Sequence, residues 1–267
     1  MTTLNLYQVD AFTSAVFGGN PAAICPLKEW LPDELMQNIT IENNLSETAF
    51  FIPSKTTEAD YDLRWFMPGG EVDLCGHATL ATAYVIFEKL GFTKPRVTFS
   101  SRSGPLGVEQ TDNGLLMSFP IWDVKETAPR ADIESALGQA PSALYEGKYW
   151  MASFNSEAEI KALKPNFNAL KAIDDIGFLI VTAPSDDPNV DFVSRFFCPQ
   201  YGVDEDPVTG SAHCVLTPHW AQKLNKTKMH ARQISARGGS LICEIKNDQV
   251  HITGQAALYL EGKIHVE

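Results

Sequence analysis

Two short loops place a glycine beside small polar residues directly before a predicted helix. One reads Cys-Gly-His at residues 75–77, and the other reads Thr-Gly-Ser at residues 209–211. The free N–H groups and the positive dipole end of a helix N-terminus favour carboxylate or phosphate, and glycine lets a ligand approach the backbone closely. The pair predicts an anion site, although two buried helices of a plain duplicated scaffold would show the same pattern. The candidate binding residues are Gly76, His77, Gly210 and Ser211.

Glu47 is the candidate acid/base. It lies at the junction between a predicted helix, Pro32 to about Asn43, and an apolar strand that begins near Thr48. A carboxylate desolvated beside such a strand would have a raised pKa, which suits proton transfer near neutral pH. A solvated loop residue is the alternative interpretation, and it is the commoner one for a glutamate.

The histidines and one aspartate near the two loops are further candidates. His77 would lie at a helix N-terminus, where the dipole favours a neutral imidazole, whereas His213 is one step further into its helix and is predicted to pack. Asp206 could accept a hydrogen bond from a substrate hydroxyl or amine, or serve only as a turn residue before Pro207.

Several well-defined chemistries leave no signature in the chain. There is no G-x-G-x-x-G, no Walker A and no H-E-x-x-H motif, and the histidines lack metal-ligand spacing, so nucleotide and zinc chemistry are not signalled. Ser211 is not part of a G-x-S-x-G elbow, which disfavours a serine hydrolase.

The elements that position these residues belong to an internal repeat. Arg64, Phe66 and Pro68 recur 131 residues later, and the two glycine loops correspond at an offset of 134. A third block, residues 99–106, recurs at 234–241, an offset of 135. Three successive blocks at nearly constant spacing indicate an ancient duplication, which predicts domains at 1–122 and 123–267, with the last strand a candidate to return to the first domain.

Each half is predicted to have an α+β fold in which a curved, mostly antiparallel sheet encloses a central hydrophobic helix. Ala78–Leu90 is apolar on nearly every side, so other elements must wrap it, and Gly91 is well placed to end it. The matching helix, Ala212–Leu224, carries Pro218, which should kink or split it.

Composition narrows the range of partners. The formal net charge is −12 and no basic stripe is present, which excludes the electrostatic footprint of a nucleic-acid binder. No signal peptide or membrane span is visible, and five widely spaced cysteines favour free thiols in a reducing compartment. We therefore expect a cytoplasmic protein with neither nucleic acid nor membrane as partner.

The chain resembles the PhzF family of phenazine biosynthesis-like proteins, which are related to diaminopimelate epimerase. The blocks that carry the resemblance run from residue 9 to about 241, nearly the whole chain, and are long and unusual in composition: VDAFTSAVFGGNPAAI, NLSETAFF, RWFMPGGEVDLCGHATLA, SRSG, SRFFCPQYGVDEDPVTGSAHC and RGGSL.

This resemblance implies two pseudo-symmetric domains with the active site between them, a homodimer and no cofactor. It implies that Glu47 moves a proton between two carbons of an anionic substrate and that Asp206 contacts the polar substituents of that substrate. It also implies that the substrate carboxylate, or its neighbourhood, is held by Gly76, His77, Gly210 and Ser211.

Two alternatives to a glutamate-based isomerase stay open. The related epimerases use two opposed cysteines, but here Cys75 is matched by Thr209, whose hydroxyl is far too weakly acidic to replace a thiolate. An amino or hydroxy acid epimerase or racemase is therefore the second hypothesis, and Cys75 is interpreted as a small buried core residue. A small-molecule binding protein without turnover is the third hypothesis.

Overall fold

The helices and strands are those of a computed structural model that describes residues 1–267. In chain order they are β1 (Thr2–Ala11), β2 (Asn20–Pro26), α1 (Asp33–Asn43), β3 (Glu47–Pro53), β4 (Tyr61–Met67), β5 (Gly70–Val72), α2 (Gly76–Lys89), β6 (Arg96–Ser101), β7 (Gly104–Thr111), β8 (Gly114–Pro120), β9 (Val124–Thr127), α3 (Ala131–Leu137), β10 (Ala143–Gly147), β11 (Trp150–Ser153), α4 (Glu157–Ala162), α5 (Phe167–Lys171), β12 (Leu179–Pro184), β13 (Phe192–Cys198), β14 (Val203–Glu205), α6 (His213–Leu224), β15 (Lys228–Gln233), β16 (Gly239–Lys246), β17 (Gln249–Gly254) and β18 (Ala256–Val266).

The chain forms two compact units. Unit 1 comprises Met1–Ser118 together with Thr253–Glu267, and unit 2 comprises Phe119–Ile252. Unit 1 gains its last strand from the C-terminus, because β18 pairs antiparallel with β1 along its whole length.

Unit 1 is a mostly antiparallel sheet around α2. Strands β2 and β3 are parallel, as are β4 and β6, and the other strand pairs of this unit are antiparallel. Helix α2 contacts β1, β2, β3, β7 and β18, and ten of its residues are buried. An apolar helix enclosed in this way agrees with the predicted fold class.

Unit 2 repeats the arrangement with α6 in the place of α2. Strands β11 and β12 are parallel, as are β13 and β15, while β12–β13 and β15–β16 are antiparallel. The equivalent parallel and antiparallel pairs therefore occur in both halves, and helices α3, α4 and α5 add an apolar layer in unit 2.

Duplicated ion pairs support the repeat. Arg64 makes a bidentate contact with Glu71, with both N···O distances 2.7 Å, and Arg195 contacts Glu205 in the same way at 2.8 and 2.9 Å. Each arginine also lies over the ring of the phenylalanine two residues later. The matched residues thus share local geometry as well as residue type.

Helix α6 departs from the expected form. A 3-10 turn over Gly210–Ala212 precedes it, so the helix itself begins at His213, and it is not split at Pro218. Proline has no N–H to donate to the carbonyl of Cys214 four residues back, and the backbone N–H of Trp122 donates to that carbonyl instead at 3.0 Å. The freed acceptor is satisfied, which lets the helix continue.

The helices of both units are short or only partly apolar. None of them is both long enough and apolar enough to cross a bilayer.

Candidate active site

Glu47 and His77 form the charged part of the site in unit 1. Glu47 is the first residue of β3 and His77 the second residue of α2, and their Oε2 and Nε2 atoms lie 3.1 Å apart. The His77 side chain is 7% exposed and that of Glu47 is 19% exposed, so Glu47 is the member that a ligand can reach. Oε2 of Glu47 is buried and receives no well-directed hydrogen bond.

Asn20 completes this group, although it was not predicted from the sequence. It is fully buried at the start of β2, and its Nδ2 lies 3.2 Å from Nδ1 of His77. The parallel pairing of β2 with β3, which sets Ala22 opposite Glu47, brings the starts of both strands together. Ser46 joins the group, with Oγ 3.4 Å from both Oδ1 of Asn20 and Nε2 of His77.

Cys75 lies on the other side of the imidazole. Its sulfur is 3.5 Å from Nδ1 of His77, and burial, followed by the Glu47 charge, raises the pKa of the thiol. It is buried, as predicted from the sequence, but it also contacts the histidine. Nothing in the sequence alone indicated that contact.

The potential ligand atoms of Glu47, Cys75 and His77 lie within 4.8 Å of one another. His77 presents Nε2 to Glu47 and Nδ1 to Cys75, however, so opposite sides of one ring face the two partners. A metal ion binds one ring nitrogen at a time. In the observed side-chain conformations these residues form a chain of contacts and do not surround a common point.

The structure reverses two expected pKa directions. Burial favours a raised pKa for Glu47, but the charge of His77 and the polar contacts from His77 and Ser46 together lower it. Burial also opposes a charge on His77, but Cys75 and Glu47 raise the pKa of His77 well above its ordinary value. The predictions of a raised Glu47 pKa and a neutral His77 were wrong, because they considered desolvation and the helix dipole without a partner charge 3.1 Å away. Both directions favour a carboxylate beside an imidazolium.

In unit 2, Asp206 and Thr209 are held together. The Thr209 hydroxyl donates to Oδ2 of Asp206. The side chain of Gln233 accepts from the backbone N–H of Thr209 at 2.8 Å and donates to the backbone carbonyl of Asp206 at 2.7 Å. Gln233, which no sequence pattern singled out, thus fixes the loop that carries Gly210 and Ser211.

The second glycine loop leads into a different element from the first. Gly76 begins an α-helix directly, whereas Gly210 and Ser211 belong to the 3-10 turn before α6. The expectation that both loops lie immediately before an α-helix was therefore correct for one of them. His213 packs as predicted: it is fully buried, its Nδ1 is 3.0 Å from the Thr209 carbonyl, and burial lowers its pKa to about 4.

The structure therefore groups the predicted residues within each unit. Glu47, Gly76 and His77 lie at neighbouring element ends in unit 1, while Asp206, Gly210 and Ser211 share one loop in unit 2. Residues not predicted from the sequence are Asn20, Ser46, Gln233 and Tyr149, whose hydroxyl lies 3.0 Å from Oγ of Ser211. Asn20 and Ser46 stand inside the blocks that carry the family resemblance, so a weak signal existed for both.

The repeat places a glutamate at the position of Glu47 in one unit only. In unit 1, Thr48 pairs with Phe66, and in unit 2, Leu179 pairs with the matched Phe197. Glu47 immediately precedes Thr48, and Phe178 immediately precedes Leu179. Phe178 is thus the counterpart of Glu47. Unit 2 offers no carboxylate at this position.

Two sheet-enclosed helices with a paired carboxylate in one unit define a protein of the diaminopimelate epimerase-like class. The family model described as "Phenazine biosynthesis-like protein" (PhzC-PhzF) matches residues 9–262, and the chain belongs to that family as one of its isomerases. An uncharacterized isomerase of Pseudomonas aeruginosa is 47% identical over 263 residues, covering 98% of this chain and 99% of the relative.

Solved structures agree with this assignment. A PhzF-family protein from Enterococcus faecalis is 44% identical, covers 99% of this chain and 100% of its own, and superposes with a TM-score of 0.95. A probable proline racemase from Agrobacterium radiobacter is 12% identical, with 99% and 93% coverage and a TM-score of 0.68. At that identity it shows only that the fold is shared.

Proposed function

We propose that this protein is a cofactor-independent isomerase that moves a proton within a small carboxylate-bearing substrate, with Glu47 as the acid/base. The observation that carries the proposal is the partly exposed Glu47 carboxylate held against His77, with 3.1 Å between Oε2 of Glu47 and Nε2 of His77. Because Oε2 itself is buried, it is the exposed part of the carboxylate that would take up a substrate proton.

The reaction needs no outside reagent. The Glu47 carboxylate removes a hydrogen from a substrate carbon and becomes a carboxylic acid, while the electron pair of the C–H bond delocalises toward the substrate's unsaturated or carbonyl group. The carboxylic acid, whose O–H proton exchanges with solvent, then donates a proton to another carbon, which regenerates the carboxylate and shifts the double bond. Atoms and charge balance within the substrate and Glu47.

His77 favours the second step of this reaction, the return of a proton to the substrate. A lowered Glu47 pKa makes the carboxylate a weaker base but makes the protonated acid a better donor to the carbanion. The removal step then depends on a substrate hydrogen that is already acidified. A bound substrate would also exclude water from Glu47, and that desolvation would raise its pKa toward the useful range.

The remaining predicted residues are proposed to hold the substrate. Ser211 and the backbone N–H groups of Gly76 and Gly210 would bind its carboxylate, and Asp206 would accept hydrogen bonds from its polar substituents. A homodimer and a cytoplasmic location stay predictions.

The decisive measurement is exchange of carbon-bound hydrogen with solvent deuterium. A panel of small unsaturated carboxylates is incubated with the protein in D₂O and followed by ¹H NMR. Glu47→Gln should abolish the exchange that the unaltered protein catalyses, while its melting temperature stays close to that of the parent.

Glu42→Gln is the matched control, because Glu42 is an exposed glutamate at the end of α1 and should leave exchange intact. Undiminished exchange in the Glu47→Gln variant would remove Glu47 from the mechanism. Thermal stabilisation by panel compounds that show no exchange would instead favour a binding protein.

A further inference from the structure

The side chain of Tyr149 contacts the hydroxyl of Ser211 within unit 2. The two hydroxyl oxygens are 3.0 Å apart. Burial raises the pKa of Tyr149, which keeps the phenol protonated at neutral pH and able to donate. The contact joins the segment just before β11 to the loop of Gly210 and Ser211, 62 residues away in sequence.

Three aromatic side chains fix the ring of Tyr149. The centroid of its ring is 5.3 Å from that of Trp122, 4.9 Å from Phe178 and 5.4 Å from Phe196. Edge-to-face and tilted contacts of this kind restrict the ring in both available torsions. The hydroxyl is therefore presented to Ser211 from a rigid support.

The repeat shows what this contact replaces. Ala22 pairs with Glu47 in unit 1, and Phe178 is the counterpart of Glu47 in unit 2. Trp150 pairs with the residue after Phe178, so Tyr149, the residue before Trp150, lies opposite Phe178 and is the counterpart of Ala22. Ser211 corresponds to His77 in the matched loops. In unit 1 the loop residue His77 contacts the Glu47 carboxylate. In unit 2 the matched Ser211 contacts the phenol of Tyr149, which lies within an aromatic cluster. At this position the contacts of unit 2 orient the Ser211 hydroxyl and provide no acid/base group.

We propose that Tyr149 is a positioning residue that donates its hydrogen bond to Oγ of Ser211, so that the Ser211 proton is directed at the substrate carboxylate. The inference rests on the proposed role of Ser211 and does not depend on Glu47 chemistry. A donor chain of two hydroxyls polarises the terminal O–H and strengthens its hydrogen bond to an anion. Without the phenol, the serine hydroxyl would rotate among its staggered positions.

The test is a double-mutant cycle with 4-fluorobenzoate as the probe, followed by ¹⁹F NMR titration. Ser211→Ala should weaken binding about 10-fold or more, the loss of a hydrogen bond to a charged group. Tyr149→Phe, which keeps the ring, should weaken it about 3-fold to 10-fold. In the Ser211→Ala background the same Tyr149→Phe change should have no further effect, because the residue acts through Ser211.

Tyr201→Phe is the matched control, since Tyr201 stacks on Phe178 and its loss of a hydroxyl should not alter binding of the probe. Equal penalties for Tyr149→Phe in both backgrounds, or none in either, would overturn the proposal. A parent protein that fails to bind 4-fluorobenzoate would overturn it as well. A failure of the proton-transfer mechanism would be seen separately, as absent deuterium exchange in a parent protein whose mutant cycle behaves as expected.

Discussion

At the scale of single residues, the pairing of Glu47 with His77 shifts the pKa of Glu47 more than burial does. A desolvated glutamate alone would be a stronger base, as in many acid/base sites. The imidazolium 3.1 Å away outweighs that effect and lowers the pKa of Glu47. In the proposed mechanism, this lowered pKa would favour proton return over proton removal, and the expected substrates are those with an acidified C–H bond.

The pH dependence of exchange should report this pair. The base form of Glu47 persists as pH falls below the ordinary glutamate range, because its pKa in the folded protein is lowered. In a His77→Gln variant no cation opposes the effect of burial on Glu47, so the pKa of Glu47 should rise. The acid limb of the rate profile should therefore shift to higher pH by about one unit or more. The measurement is the rate of deuterium exchange from about pH 3 to about pH 8 in both proteins.

Asn20→Ala serves as a comparison for that profile. This change removes a neighbour of the His77 ring but keeps the charge of His77, so it should shift the acid limb of the rate profile less than His77→Gln does. An acid limb at the same pH in the parent and in His77→Gln would show that His77 does not control the ionisation of Glu47.

At this scale the sequence indicated candidate residues, but it did not indicate their contacts. Glu47 and His77 stand in recognisable blocks, whereas the sign of their pKa shifts depends on a distance that the sequence does not contain. Tyr149 was missed for a different reason. Its counterpart is Ala22, so the repeat that located Ser211 gave no indication of a functional partner there.

At the scale of elements, the repeat made most of the fold predictable. The apolar α2 helix and the β6–β7–β8 ladder are expected from hydrophobic pattern and turn residues, and they occur close to the expected bounds. The 3-10 turn before α6 was not predictable, because it follows a loop whose Thr209 N–H donates to the side chain of Gln233, a contact across 24 residues of sequence.

The loop between β1 and β2 is an element on which the site depends. Gly19 has φ +62°, and a Cβ there would lie 2.1 Å from the carbonyl oxygen of Ala11. The next residue is Asn20, the buried neighbour of His77. A side chain at position 19 would therefore displace both the loop and the contact between Asn20 and His77.

Gly19→Ala should consequently lower both stability and deuterium exchange. Gly91→Ala is the matched control: Gly91 also has a left-handed φ, +69°, but an added Cβ meets nothing within 4 Å. The control should lose about 1–2 kcal/mol of unfolding free energy from strain alone, and Gly19→Ala at least about 2 kcal/mol more. Urea unfolding measures both, and equal losses would show that the Ala11 contact has no consequence.

At the scale of the whole molecule, the duplicated scaffold carries the proposed acid/base residue in one half. Phe178 stands where Glu47 would be repeated, and Thr209 stands where Cys75 would be. A two-base racemase needs a titratable group on each face of the substrate carbon. Unit 2 supplies neither of the two groups that unit 1 could offer.

The protein should therefore not racemise amino acids, even though its fold is shared with a probable proline racemase. A single base that removes and returns a proton on one face leaves the configuration of a stereocentre unchanged. L-Proline and trans-4-hydroxy-L-proline, incubated with the protein in D₂O, should keep their optical rotation. Loss of rotation accompanied by α-deuteration would require a second acid/base group and would replace the single-glutamate mechanism. If that activity survived Glu47→Gln but not Cys75→Ala, the thiol beside His77 would be the group to reassign.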